Sequence, residues 1–486
     1  MIFARKAGKG VSPVLKKSPF SAGEKMSSEK KYEMDMCHGP LFGKVLRYSV
    51  PLMIANIAAL LFHAADLVVL GQFTDRNSMA AVGAAGGFIF LMLNLFWGIG
   101  TGINVLASRY TGARDPENVS RTVHTAIAVG LIGSVVMVAL SVLCTDGVLR
   151  LMATPQEIMG KTKLYVYIGC AGIPFMIFYS FGSSVLRAVG DTKRPLIFML
   201  LAGIANVLLN LFCVLILKMD VAGVGLATLA ANCISAFLVL RALMKSDEAY
   251  KLEWKKVKID MKNLKEMLQI GVPAGLQGAM FTVSNMAIQS TVNSFGPAAI
   301  AGNTAAINLE SIVHTVCASF FFASISFTGQ NYGGRKFKRI VKSIFICLGC
   351  SAVGIAVLGW LCILFGRELL AVYNPDPAVI EAGFIRVKMV LSLYFMCGVM
   401  DAVSGSLRGL GHSFKPALVI FLGVCVFRVI WVFTVFPRYK TMEKLFLSYP
   451  ISWIAVSIFN GIMLYVICHR LLVKASRREF EPVRKG

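Results

Sequence analysis

The sequence predicts an all-α integral membrane protein, with twelve transmembrane helices in two six-helix lobes related by a pseudo-two-fold axis along the membrane normal. Two observations predict it. The first is composition: 56% of the 486 residues are hydrophobic and only 15% are charged, and mean hydropathy is +0.70. The apolar runs reach about 20 residues, the length a helix needs to cross the hydrocarbon core, and they lack the dyad alternation of a transmembrane barrel. The second is an internal repeat. LRAVGDTKRP, from Leu186 to Pro195, returns 221 residues later as LRGLGHSFKP, from Leu407 to Pro416. Gly112-Ala113-Arg114 is answered at the same offset by Gly333-Gly334-Arg335, and Pro51 in YSVPLM is answered by Pro273 in IGVPAG. The copies run in the same direction and sit at similar places relative to apolar segments, as in membrane proteins built from two parallel repeats.

Taken in chain order, residues 1–40 carry basic positions at Arg5, Lys6, Lys9, Lys16 and Lys17 but no apolar run long enough for a cleavable signal. They read as a cytoplasmic tail, within which Met26, Met34 and Met36 each offer an alternative start. The N-lobe follows over 41–244, its helices expected near 46–72, 78–109, 120–145, 160–188, 194–218 and 221–244. A charged stretch without an apolar span, 245–263, is the linker between lobes. The C-lobe covers 264–472, with helices expected near 264–295, 298–330, 338–365, 377–407, 415–437 and 444–472, and 473–486 forms a second tail. Basic clusters fall in alternate loops: Arg109 to Arg121, Arg187 to Arg194, the linker, Arg335 to Lys342, and the tail from Arg470 to Lys485. By the positive-inside tendency, both termini and the linker face the cytoplasm, which fits a multi-pass protein of the cell's inner (plasma) membrane.

That pattern assigns the net charge of +24 to orientation and not to nucleic acid, for which no basic groove with interleaved aromatics is visible. The twelve cysteines are mostly scattered singly through apolar segments, so no disulfide framework is suggested. The one CxxC, Cys347 and Cys350, lies inside an expected helix without further ligands at metal spacing. No GxxxxGK[ST] loop marks a nucleotide site, and no nucleophile with a base in reach marks an intramembrane enzyme. No cofactor is implied.

Chemistry within the bilayer therefore rests on a few polar residues. Asp66 lies in the first apolar run, where an unpartnered carboxylate costs about 2.5–3.5 kcal/mol on insertion scales. Asn206 and Asn210, four apart in the fifth helix, share one face. Their amide oxygens can ligate a cation, or the pair can serve as interhelical hydrogen bonding. In the C-half stand Glu310, Asp401 and Arg428. Arg428 needs an acidic partner or water, and either Glu310 or Asp401 is placed to supply it, as a structural ion pair or as part of a charged cavity lining. His314, four residues after Glu310, and His63, three before Asp66, read as satisfied polar contacts.

With these features in view, the chain resembles the multidrug and toxic compound extrusion (MATE) family, in its prokaryotic branch, over residues 39–472. The resemblance rests on Pro51 and Asp66 fifteen apart, GARDPENVSR after helix 2, LRAVGDTKRP after helix 4, NVLLN in helix 5 and VAGVGLATLAAN in helix 6. It implies a secondary transporter that exports organic cations or other amphipathic small molecules by antiport with Na⁺ or H⁺, alternating access between its lobes. No nucleic acid and no obligate protein partner are implied beyond the membrane lipids. It also implies that Asp66, Asn206, Thr228 and the carbonyl of Val224 form the N-lobe cation site, and that Pro51 marks the bend of helix 1. Position 210 departs from the family, which often has aspartate where this chain has Asn210, so one carboxylate supplies the negative charge. A flippase for a lipid or lipid-linked saccharide shares this architecture and is the alternative reading. The excess of acids over the one intramembrane arginine noted, Arg428, favours cationic cargo.

Overall fold

The computed structural model describes residues 32–74, 76–151 and 154–480, and the regular elements within them are helices. The N-lobe holds α1 (Leu41–Phe73), α2 (Arg76–Gly112), α3 (Pro116–Leu151), α4 (Gln156–Ala188), α5 (Lys193–Leu211, continued by a π-turn at Phe212–Ile216) and α6 (Val221–Lys245). The C-lobe repeats the plan with α7 (Met261–Asn293), α8 (Pro297–Gly333), α9 (Phe337–Leu364), a two-part α10 (Pro377–Leu391 and Tyr394–Gly409), α11 and α12 (Ser448–Phe480). α11 runs through Phe414–Ile420, a π-turn at Phe421–Val426, and Phe427–Thr434.

Nine spans among the described residues are long and apolar enough to cross a membrane. The halves of α10 add a tenth, bent by 46°, over the segment 377–407 expected as one helix. The break falls where Leu393 leaves helical geometry, at φ −118° and ψ 18°. α2 and α7 complete the twelve, and they differ from the others in their partner. They lie backbone to backbone across the lobe boundary: a Cβ on Gly98 would come within 2.6 Å of the Gly275 Cα, and one on Gly271 within 2.6 Å of the Ile99 Cα. Small residues allow such approach, and a helix covered by another helix needs less lipid-facing apolar surface.

The lobes exchange helix ends. Leu41, Val45, Tyr48 and Leu52, on the first half of α1, belong to the apolar core of the C-lobe. Met267 and Ile270, at the start of α7, belong to the core of the N-lobe. Hydrogen bonds between lobes gather at the end of the molecule that carries the linker and the basic turns. Tyr48 Oη and Ser326 Oγ lie 2.7 Å apart, Ser326 donates to Asn104 at 3.1 Å, and Tyr110 donates to Asn263 at 3.3 Å.

The repeat pairs take matching backbone shapes at this end. Arg114 and Arg335 have φ of 55° and 54°, and Gly190 and Gly411 have φ of 91° and 86°. Left-handed geometry explains the glycines. A Cβ at Gly411 would run into the Arg109 guanidinium, and one at Gly190 into Met34.

Residues 1–31 of the expected N-terminal tail lie outside the described residues, but residues 32–40 pack against the helices. Met34 N–H donates to the Val189 carbonyl of the N-lobe, while the Met36 amide donates to Gln330 and its carbonyl accepts from Asn331 and Arg339 of the C-lobe. This stretch is thus a strap across both lobes. At the other terminus α12 continues to Phe480, through the first residues of the segment read as a tail, and 481–486 lie outside the described residues.

Candidate functional site

Asp66, Asn206, Asn210 and Thr228 come together in the N-lobe. α1 presents Asp66 to α5, where the Asn210 Nδ2 donates to the carboxylate Oδ1. Asn210 also donates to the Asn206 Oδ1 at 3.5 Å, and Asn206 donates to the Thr228 Oγ1 of α6 at 3.4 Å. One polar chain therefore joins three helices. Gly203 lets α1 come close enough, because any Cβ there would strike the Phe62 ring. The π-turn of α5 begins two residues after Asn210; such turns shift the register of side chains and occur often at functional positions.

The Oδ1 of Asn210 is buried and has no hydrogen-bond partner among the described residues. An orphaned buried acceptor carries a desolvation cost of about 1–3 kcal/mol, which a bound cation or proton donor would remove. Val224, one turn before Thr228 on α6, packs its side chain with Val69, Leu70 and Val82. Beside the chain lies a cavity of about 230 Å³ whose wall includes His63, Trp97, Tyr165, Met176, Thr228 and Asn232. Pro51 sits inside α1, which runs unbroken past it, although proline removes one helical hydrogen bond there.

In the C-lobe the charges pair differently from the expectation. Glu310 does not meet Arg428. It binds Arg386 of α10 at 2.7 Å, and Arg386 also donates to Asn303 at 2.9 Å. Arg428 follows the π-turn of α11 and donates to Ser452 at 3.2 and 3.3 Å, with its guanidinium 3.8 Å above the Tyr449 ring and 5.7 Å from that of Trp453. Aromatic faces and a hydroxyl thus stand where an acid was expected. Arg386 faces the same Tyr449 ring at 5.2 Å. Sequence reasoning missed this arginine, although it stands within the 377–407 segment. Arg408, from the second copy of the repeat, is buried as well and donates to Gln277 at 2.7 Å. The acids are therefore not in excess, and the charge argument for cationic cargo lapses in this lobe.

Asp401 joins a different group. His314 and Cys317 of α8 and Cys397 and Asp401 of α10 bring one ligand atom each to within 4.8 Å of every other. The spacings, HxxC and CxxxD, place each pair on one helical face. Those two short signals lie about 80 residues apart in sequence.

At the repeat turns outside the bilayer, Asp191 accepts from the Lys193 and Arg194 amides at 3.1 Å and bonds the Arg194 side chain, while burial pushes its carboxyl up from the usual value. Its repeat mate His412 is pushed down by burial and by Arg109 and Lys415.

The MatE family model matches the chain twice, over residues 51–212 and 273–434, with the same offset of 222 at both ends. Among curated proteins, the probable multidrug resistance protein YoeA of Bacillus subtilis is 25% identical over 424 residues, covering 85% of this chain and 90% of that protein. The multidrug export protein MepA of Staphylococcus saprophyticus is 22% identical, covering 84% and 90%. A solved structure described as the outward-facing conformation of a multidrug resistance MATE family transporter of the MOP superfamily superimposes with a TM-score of 0.84 at 20% identity, covering 92% of this chain and 99% of that one. One family model recurring in each six-helix lobe, over more than half of the sequence, settles the relationship: the chain belongs to the MATE family of multidrug efflux transporters.

Proposed function

We propose that this transporter exports amphipathic small molecules, organic cations among them, in exchange for Na⁺ or H⁺ bound at the N-lobe site around Asp66. The observation that carries the reading is the Asp66–Asn210–Asn206–Thr228 chain with the buried, unpartnered Asn210 Oδ1. A carboxylate with amide and hydroxyl oxygens suits a hard monovalent cation, with the Val224 carbonyl as a further ligand, and protonation of Asp66 neutralises the same charge. The neighbouring cavity, walled by Trp97, Tyr165 and Met176, suits an aromatic or aliphatic cargo.

α1 is the mechanical link. Asp66 and Tyr48 are eighteen residues apart on one helix, about 27 Å at 1.5 Å per residue. One binds α5 and the other the α8 hydroxyl of Ser326. Pro51 lies between them and supplies the weak point at which α1 bends. Ion binding at Asp66 changes what the upper half of α1 holds, and the lower half transmits this to the contact between lobes. Both termini and the linker face the cytoplasm of the cell membrane in this reading, so the lobes meet on the cytoplasmic side and cargo leaves outward. One cation entering down about 100 mV supplies about 2.3 kcal/mol before any concentration gradient.

Reconstituted protein should drive uphill export of a fluorescent amphipathic cation under one imposed gradient, Na⁺ at constant pH or pH without Na⁺. Failure of both gradients to drive export would overturn antiport with these ions. A flippase would instead show lipid-linked saccharide translocation without drug export.

A further inference from the structure

We propose that His314, Cys317, Cys397 and Asp401 form a binding site for a borderline-soft divalent metal ion, Zn²⁺ in the first instance, that bridges α8 and α10 within the C-lobe. The site is distinct from the Asp66 chain, which lies in the other lobe and offers only oxygen ligands.

Two thiols, one imidazole and one carboxylate match the ligands of four-coordinate zinc, whereas Na⁺, Mg²⁺ and Ca²⁺ prefer oxygen alone. Tetrahedral zinc, with bonds of about 2.0–2.3 Å, sets its ligand atoms about 3.3–3.8 Å apart. The four atoms here already lie within 4.8 Å of one another, so closure asks for shifts of about 1 Å, within reach of side-chain rotation. The His314 and Cys317 pair of α8 and the Cys397 and Asp401 pair of α10 already lie against each other. Neither helix has to move far.

The surroundings favour occupancy. Cys317 and Cys397 are buried, while His314 is exposed and Asp401 partly so, which leaves the ion a side of entry. Glu310, one turn from His314, is engaged by Arg386 and does not compete. Zinc binding releases two thiol protons, and the resulting set of two thiolates, one carboxylate and one dication carries a single net negative charge. Arg408 lies seven residues beyond Asp401 on α10 and acts on its carboxylate, so it balances that charge. Gly398 presses α10 against Ser351 and Ile355 of α9, which holds the Cys397 turn in place. An ion here would pin the second half of α10, beyond its bend, to α8.

The test is a Co²⁺ titration of the purified, reduced full-length protein, followed by visible and near-ultraviolet absorption. The expected result is one equivalent bound, with the intense visible bands of tetrahedral cobalt, a thiolate-to-metal charge-transfer band, and displacement by Zn²⁺. Cys317→Ser/Cys397→Ser should lose affinity by at least about 100-fold, as expected for removing direct ligands when outer-shell changes already cost about 10–100-fold. Cys347→Ser/Cys350→Ser should retain the full spectrum. The wild-type spectrum is a readout that needs no variant to fold. Absence of the charge-transfer band in the wild type, or its persistence in Cys317→Ser/Cys397→Ser, would overturn the proposal.

Discussion

The Gln330 amide donates to the carbonyl of Ala188 at 2.7 Å, and the repeat counterparts make the same contact with the lobes exchanged: Arg109, 221 residues before Gln330, donates to Gly409, 221 residues after Ala188, at 3.3 Å. Each lobe thus reaches into the repeat turn of the other. The LRAVG and LRGLG segments are alike because each serves as the socket of a reciprocal latch.

Gln330 also accepts the Met36 amide, so Gln330→Leu strips the Met36 N–H of that partner and leaves the Ala188 carbonyl with Ser108 at 3.5 Å. Leaving a buried group unpaired costs about 1–3 kcal/mol. Hydrogen exchange followed by mass spectrometry should show residues 32–40 opening at least about tenfold faster, while the Asp66 region keeps its protection. Unchanged exchange in 32–40 would show that the strap is held by other contacts.

The Glu310–Arg386 pair is buried, with side-chain exposures of 16% and 5%. Glu310→Leu leaves Arg386 buried without a counter-charge and should cost about 3–5 kcal/mol, whereas Glu310→Leu/Arg386→Met should recover most of that loss. Denaturation of the wild type, Glu310→Leu, Arg386→Met and the double variant checks this. Additive losses would mean that the pair does not act as a unit.

Gly98→Val places side-chain atoms into the α7 backbone at Gly271 and Gly275. Overpacking costs about 1–3 kcal/mol and here also separates the lobes. The midpoint of thermal unfolding in detergent should fall, whereas Gly147→Val, where nothing lies within 4 Å of the added Cβ, should leave it unchanged. Equal behaviour of the two would remove close helix contact as the reason for Gly98.

Much of this was legible in the residues. The twelve helices followed from apolar length, and the parallel lobes from LRAVG and LRGLG, because a membrane leaves the backbone few choices. Asp66, Asn206 and Asn210 stood out as polar groups in an apolar run, and they meet. Pairing in the C-lobe was not legible. Glu310 meets Arg386, ahead of the bend of α10, and Arg428 meets Tyr449, just after the π-turn of α11; which side chains face each other there depends on how the helices pack. The His314, Cys317, Cys397 and Asp401 group needs two distant helices side by side, which neither HxxC nor CxxxD signals alone. Residues 32–40 have no periodicity to announce that they strap the lobes together.

If Asp66 couples ion entry to export, as proposed, Asp66→Asn in proteoliposomes should be a folded protein that equilibrates cargo at most and no longer accumulates it against a gradient under either Na⁺ or pH drive. Accumulation equal to the wild type would contradict it.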